Sequence, residues 1–269
     1  MKAKKLAVIG GGQMGRALVG GMIASEVIKP SKICLVEPDP ANQAWWQEQY
    51  PEIDQSDLES AVSASEAVLL AVKPNVVPRV AAAAASNWQG RLVVSIAAGV
   101  SLQKLCGWVG HQRVIRVMPN TPSLVRQGAS AFCCGNEATT DDRAWIDKLL
   151  QCVGLAIEIE ESQMDAVTGL SGSGPAYVCM MIEAMADGGV LAGLPRDVAL
   201  QLATQTVLGT ARMIATTGRH PGELKDAVAS PGGTTIAAIA TLEQNGIRGA
   251  LIQAVDASAK RSRQLGGNE

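Results

Sequence analysis

Short, unbroken apolar runs punctuate the first part of the chain. Leu6-Ala7-Val8-Ile9, Ile33-Cys34-Leu35-Val36, Ala67-Val68-Leu69-Leu70-Ala71-Val72, Leu92-Val93-Val94-Ser95-Ile96 and Val114-Ile115-Arg116-Val117-Met118 have the length and composition of strands. They do not alternate between apolar and polar, which predicts a parallel sheet covered on both faces. Between them, the apolar positions Ala17, Leu18, Met22 and Ile23, residues 41–50 with Trp45 and Trp46, the alanine-rich stretch from Val76 to Ala85, and a segment near 143–153 predict helices. Ala156-Ile157-Glu158-Ile159-Glu160 alternates like an edge strand. Together these predict an α/β domain over residues 1–161.

From 162 to 269 the pattern turns helical, without strands. Pro175 to Ala192 and Arg196 to Thr217 are long apolar runs divided by Gly193-Leu194-Pro195, where glycine ends one helix and proline starts the next. A helix start follows at Pro221, another opens at Ser230-Pro231-Gly232-Gly233-Thr234-Thr235-Ile236 and runs through Leu242, and a last one spans Ile247 to about Arg263. The first of these helices is hydrophobic nearly all round and so needs cover on every side. A domain this small supplies little of it, which predicts a helical subunit interface; the alternative is a central helix buried within a monomer. Asp187 and the glycines around it interrupt the run too much for a membrane span.

Chemistry enters at the first strand. Leu6 to Ile9 leads straight into Gly10-Gly11-Gly12-Gln13-Met14-Gly15 and a helix, which is Gly-x-Gly-x-x-Gly in the strand–turn–helix setting of a Rossmann-type dinucleotide site. Phosphates there rest on the free N–H groups of the helix start, beside Gln13 and Met14. The second strand ends at Glu37-Pro38-Asp39, where an acid hydrogen-bonds the adenosine ribose or is simply a solvated strand end. In the first case Glu37 repels a 2′-phosphate, and with no arginine within several residues this leans towards NADH over NADPH. The remaining strands end in Ala71-Val72-Lys73-Pro74, Ala97-Ala98-Gly99 and Pro119-Asn120-Thr121-Pro122. Ligands of open α/β sheets bind at such ends, so these residues either line a nicotinamide site or serve as turn punctuation. In the helical part, the Pro-Gly-Gly-Thr-Thr turn of Pro231 to Thr235 leaves N–H groups unpaired at a helix start: a substrate carboxylate site, or merely an N-cap.

Composition narrows the clients. The 269 residues leave room for two domains, and with 47% hydrophobic but only 3% aromatic residues the core must be aliphatic. A net charge of −2 and the lack of a basic run argue against nucleic acid or an anionic membrane as partner. Cys34, Cys106, Cys133, Cys134, Cys152 and Cys179 show no Cys-x-x-Cys spacing and read as reduced structural thiols. His111 and His220 stand far apart, so no metal site is expected. Met1 to Lys5 is followed by too short an apolar run for a signal peptide, and a cytoplasmic location is expected.

With these residues assembled, the chain resembles the pyrroline-5-carboxylate reductases over essentially its whole length. The resemblance rests on the fingerprint, Val72-Lys73-Pro74, Ser95-Ile96-Ala97-Ala98-Gly99-Val100, Met118-Pro119-Asn120-Thr121-Pro122, Gly172-Ser173-Gly174-Pro175-Ala176-Tyr177 and Ser230-Pro231-Gly232-Gly233-Thr234-Thr235. It implies reduction of the cyclic imine of 1-pyrroline-5-carboxylate to L-proline with NADPH or NADH. It also implies a homodimer through the helical domain, further assembly up to a decamer, and active sites shared between subunits. By the same resemblance Pro231, Gly232, Gly233, Thr234 and Thr235 hold the substrate carboxylate, and Thr235 faces the imine nitrogen, either relaying a proton or orienting an imine that arrives protonated. Cofactor contacts carried over are Gly10, Gly12, Gln13, Met14, Gly15, Glu37, Ala71, Val72, Lys73, Pro74, Ala97, Ala98 and Asn120. Members selective for NADPH commonly have Asn-Arg where this chain has Glu37-Pro38, which puts a strong NADPH preference in doubt.

Two rivals are weaker. A β-hydroxyacid dehydrogenase motif laid on Gly169, Gly172 and Gly174 would put its lysine at Val178 and its asparagine at Ile182, and valine cannot exchange the proton of an alcohol. A non-catalytic NAD(P)-binding interaction protein would have no need of Pro231 to Thr235.

Overall fold

The computed structural model describes residues 4–267; Met1 to Ala3, the start of the segment read above for a signal peptide, lie outside them. The chain forms two compact units, one of residues 1–173 together with 257–269, the other of residues 174–256. This division by compactness differs from the change of pattern at 161: the first unit extends past the last strand and takes in the end of the last helix.

The first unit is built on eight strands, β1 (Leu6–Ile9), β2 (Ile33–Val36), β3 (Asp54–Gln55), β4 (Ala67–Leu70), β5 (Leu92–Ser95), β6 (Val114–Met118), β7 (Gly128–Cys134) and β8 (Gly154–Glu158), in the order β3-β2-β1-β4-β5-β6-β7-β8. The first six run parallel, with Val8 flanked by Leu35 and Leu69. The five apolar runs form the strands expected of them, and β8 lies at the sheet edge. Strand β7, which the pattern did not reveal, pairs antiparallel with β6, and β8 follows β7 in parallel. Its Gly-Ala-Ser-Ala-Phe-Cys-Cys sequence is made mostly of small residues without β-branching, so its strand character comes from its neighbours rather than from its own preference.

Helices α1 (Gln13–Ala24), α2 (Pro40–Gln49), α3 (Leu58–Ser63), α4 (Val77–Ala83), α5 (Leu102–Val109), α6 (Thr140–Gln151) and the short α7 (Met164–Val167) belong to the same unit. Alternate residues of the central strands enter two different cores. Leu6 and Val8 join Leu18, Met22, Trp46 and Ile146 on one face, whereas Ala7 and Ile9 join Val62, Trp88 and Leu105 on the other. This is why the strands read as continuous apolar runs. Helices α3 and α5 are too short to show periodicity in the sequence. Helix α6 starts earlier than its apolar positions suggest, because Thr139 and Asp142 form a capping box.

The second unit consists of α8 (Gly174–Leu191), α9 (Arg196–Thr217), α10 (Pro221–Ala227), α11 (Thr234–Gln244) and the first part of α12 (Ile247–Gly266). Its own core is small, with Ala186, Ala199 and Ala203 packed against Ile182 and Val190. Large apolar side chains stay exposed instead, among them Met180 at 69% and Leu191 at 91%. Apolar surface of this extent on a helical unit marks an association surface. Among the described residues no helix is long and apolar enough to cross a membrane. All six cysteines are unpaired; Cys34 and Cys133 are buried while Cys179 is exposed. Burial, helped by the nearby Glu161 carboxylate, pushes the Cys133 thiol up to about 12, so it is inert as a nucleophile.

One buried charge ties the first unit together at the amino ends of the strands. Asp142 is fully buried and accepts from Arg113 Nε at 2.7 Å and Nη2 at 2.9 Å, from Lys4, and from the Thr139 N–H. Burial by itself would raise this carboxyl, but the hydrogen bonds from Arg113 and Lys4 outweigh it and hold the pKa below the usual carboxylate range. Asp142→Asn leaves Arg113 and Lys4 without their countercharge and with one acceptor oxygen in place of two, and is expected to cost about 3 kcal/mol of stability. Because the folded pKa is depressed, the contribution is full above the unfolded value of about 3.9 and is lost as pH falls through the folded value. Chemical denaturation of wild type and variant at neutral pH and below about pH 4 checks this: the gap between them should narrow in acid.

Candidate functional site

The carboxyl ends of β1, β2, β4, β5 and β6 lie along one edge of the sheet, and the sequence places its polar turns there. Gly10 has φ +101°, and a Cβ on it would come within 2.7 Å of the Ala71 carbonyl oxygen. A Cβ on Gly15 would come within 2.6 Å of the Gly10 carbonyl oxygen, so α1 packs directly on the turn. Gly12 is the N-cap of α1, in extended conformation and without a side-chain cap, and the direction its Cβ would take is open. The N–H groups of the helix start therefore have no side-chain partner at the cap, with room above Gly12. Gln13 is exposed and Met14 half-buried beside it. The arrangement fits the pyrophosphate of a dinucleotide.

Glu37 stands against this turn. Its Oε2 accepts from the Gly11 N–H at 2.5 Å and its Oε1 from the Asp39 N–H at 2.8 Å. The Gly10 N–H donates to the Val36 carbonyl at 2.9 Å, which aligns the end of β2 with the glycine turn. No arginine is near Glu37 in sequence, yet folding brings Arg16 to the same residue, Gly11. Its guanidinium lies 4.1 Å from the centre of the Trp45 ring and donates to Asn42 Oδ1 at 2.6 Å and to the Gly11 carbonyl at 3.3 Å. Arg16 is thus held by protein partners.

The other strand ends differ in what they present. Ala71 and Val72 are half-buried against Gly10, and the Ala71 N–H donates to the Ile9 carbonyl at 2.8 Å. Lys73 and Pro74 are exposed where the short turn before α4 begins. Ala97 is buried and Ala98 exposed. Asn120 is 9% exposed; its Nδ2 donates to the Ser171 carbonyl at 3.0 Å and its Oδ1 accepts from the Ala129 N–H at 2.8 Å. Its amide thus joins the loop after β6 to the start of β7 and to the π-helical turn Thr168–Gly172. That turn also approaches the end of β6 at Gly172, where a Cβ would meet Met118 Cε at 2.4 Å.

In the helical unit, Ser230 to Gly233 form a tight turn closed by the Gly233 N–H donating to the Ser230 carbonyl at 3.0 Å, with Gly232 at φ +66°. Gly233 is the N-cap of α11 and no side chain caps it. Pro231, Gly232 and Thr234 are exposed and Thr235 is half-buried. The hydroxyls of Thr234 and Thr235 do not cap the helix, so the N–H groups at the start of α11 have no side-chain partner at the cap.

A contact with no counterpart in the sequence reading is that of Trp46, whose indole Nε1 donates to the Gly11 carbonyl at 2.8 Å. A signal for it does exist: the fingerprint leaves the position of Gly11 free, and a fourth glycine there indicates crowding.

Two family models match the chain, "Pyrroline-5-carboxylate reductase dimerisation" over residues 161–265 and "NADP oxidoreductase coenzyme F420-dependent" over residues 5–99. A pyrroline-5-carboxylate reductase from Synechocystis sp. is 48% identical over 262 residues, 97% of this chain and 98% of that one. Among solved structures, a pyrroline-5-carboxylate reductase from Coxiella burnetii superposes with a TM-score of 0.92 at 33% identity, covering 98% of this chain and 99% of that one. The pyrroline carboxylate reductase of Plasmodium falciparum, with NADP bound, has a TM-score of 0.88 at 30% identity and covers 99% of each chain.

Asn120→Ala removes the partners of two backbone groups, at Ser171 and Ala129. The expected loss is about 2 kcal/mol of stability, seen as a lower midpoint in chemical denaturation.

Proposed function

Because the chain belongs to the pyrroline-5-carboxylate reductase family, we infer that it reduces 1-pyrroline-5-carboxylate to L-proline, the last step of proline biosynthesis. It is an NAD(P)H-dependent oxidoreductase acting on a C=N bond. The observation that carries this reading is the pair of uncapped helix N-termini, at Gly12 and at Gly233, each fitted to an anion: a pyrophosphate at the first and a carboxylate at the second.

A bound nicotinamide supplies the hydride, which explains why neither turn contains a lysine, histidine or carboxylate poised as an acid. The work left to the chain is positioning and exclusion of water. Gly10, Gly12, Gln13, Met14 and Gly15 receive the pyrophosphate, Glu37 the adenosine ribose, and Ala71 to Pro74, Ala97, Ala98 and Asn120 the side of the site towards the nicotinamide, Asn120 through its backbone because its amide is engaged elsewhere. Glu37 is an acceptor for ribose hydroxyls, which favours NADH. The turn from Pro231 to Thr235 holds the substrate carboxylate through its free backbone N–H groups, Pro231 having none and that of Gly233 being given to the Ser230 carbonyl, with the Thr235 hydroxyl at the imine nitrogen. A threonine hydroxyl is too weak an acid to protonate the imine in the ground state. It serves by relaying a proton in the transition state or by orienting an imine that arrives protonated.

The protein associates through its helical unit. The exposed apolar side chains of α8 and α9, Met180, Leu191 and Leu208 among them, support a homodimer with shared active sites, capable of further assembly into a decamer. Six unpaired cysteines suit the reducing cytoplasm.

Purified, dimeric protein should oxidise NADH or NADPH when given 1-pyrroline-5-carboxylate, followed as loss of nicotinamide absorbance; no turnover with either cofactor overturns the reading. Thr235→Ala should lower kcat by roughly tenfold to a hundredfold with cofactor affinity intact. If the hydroxyl relays the proton, the residual activity keeps the wild-type pH profile at lower rate. If it orients a protonated imine, KM for the substrate rises as well.

A further inference from the structure

Both backbone polar groups of Gly11 are held by side chains. Its N–H donates to Glu37 Oε2 at 2.5 Å, while its carbonyl accepts from Trp46 Nε1 at 2.8 Å and from Arg16 Nε at 3.3 Å. Trp46 is 1% exposed, packed edge-on against Trp45 and tilted against Tyr50, so its indole has little freedom to turn. One turn earlier on the same face of α2, Gln43 Nε2 donates to the backbone carbonyl of Glu37 at 2.5 Å. The Glu37 carboxylate is completed by Asp39, whose N–H donates to Oε1. A Cβ on Gly11 would lie 2.4 Å from Trp46 Nε1 and 3.2 Å from Glu37 Oε2, so glycine is required here by these two side chains and not by its backbone angles.

We propose that Trp46 is a positioning residue for cofactor selection. By holding the Gly11 carbonyl it keeps the Gly11 N–H on Glu37, and so keeps the carboxylate turned to receive the hydroxyls of an unphosphorylated adenosine ribose. A free glutamate swings away from a 2′-phosphate and lets it bind. A carboxylate held through both oxygens cannot, and it meets the phosphate as an unneutralised like charge. Arg16, which shares Gly11 with Glu37, is not free to relieve this, because Asn42, the Gly11 carbonyl and the Trp45 ring already engage it. The discrimination against NADPH thus resides in an indole N–H that makes no contact with the phosphate it helps to exclude.

The proposal rests on the reading of the first unit as an NAD(P)H site, and calorimetric binding to the full-length protein tests it without turnover. Trp46→Phe keeps an aromatic ring and removes the donor. It should weaken NADH binding roughly tenfold, the worth of one lost hydrogen bond, while leaving NADPH affinity unchanged or improved. With substrate present, KM for NADH should rise and kcat at saturating NADH should hold. In a Glu37→Ser background the same change should leave the ratio of NADH to NADPH affinity where Glu37→Ser alone put it. Equal weakening of both cofactors, no change in either, or a shift of the ratio that persists without Glu37 overturns the proposal. Should Trp46→Phe not fold, Gly11→Ala displaces the same contact from the other side and must narrow the ratio in the same sense. If the wild type binds NADH but does not reduce 1-pyrroline-5-carboxylate, the assigned reaction fails while the affinity ratio still decides the role of Trp46.

Discussion

The parallel pairing of β1 with β2 and β4 is the constraint from which the first unit follows. Parallel neighbours must be joined by crossovers, and the crossovers here are helices that cover both faces of the sheet. Once that holds, strands β1, β2, β4, β5 and β6 deliver their carboxyl ends to one edge, and the turns that follow them become a single surface. Gly15 is required because α1 must leave β1 at contact distance from the turn. Asp142 performs a different task at the opposite end, where Lys4 and Arg113 converge on one buried carboxylate. Binding and anchoring thus occupy opposite ends of the same strands.

The helical unit is governed by a shortage. Three buried alanines cannot shelter helices as apolar as α8 and α9. A surplus of uncovered aliphatic side chains makes association a condition of stability for this unit, with recognition of a partner as a consequence. The same unit carries the Pro231 to Thr235 turn at the start of α11.

Restraint of side chains recurs as the means of control. The amide of Asn120 is spent on Ala129 and Ser171, the guanidinium of Arg16 on Asn42, and the carboxylate of Glu37 on two backbone N–H groups. In a reaction whose hydride comes from the cofactor, selectivity depends on which groups are not free to adjust.

The strands, the fingerprint and the long helices were legible in the residues because each is a local pattern: an apolar run bounded by turn residues, three glycines at fixed spacing, a helix between proline and glycine. The family motifs placed Pro231 to Thr235 by the same local logic. Strand β7 was not legible, since its small residues have no preference that outweighs their neighbours, and neither were α3 and α5, which are too short for periodicity. Nor could the sequence show that Arg16 reaches Asn42, that the Asn120 amide turns to Ser171, or that Trp46 lies on the carbonyl of Gly11, 35 residues away. The sequence by itself determined the class of fold and, through the family it resembles, the reaction. Only the tertiary structure decided how the turns are held, because a hydrogen bond between residues far apart along the chain depends on the packing of the helices between them and leaves no periodic trace.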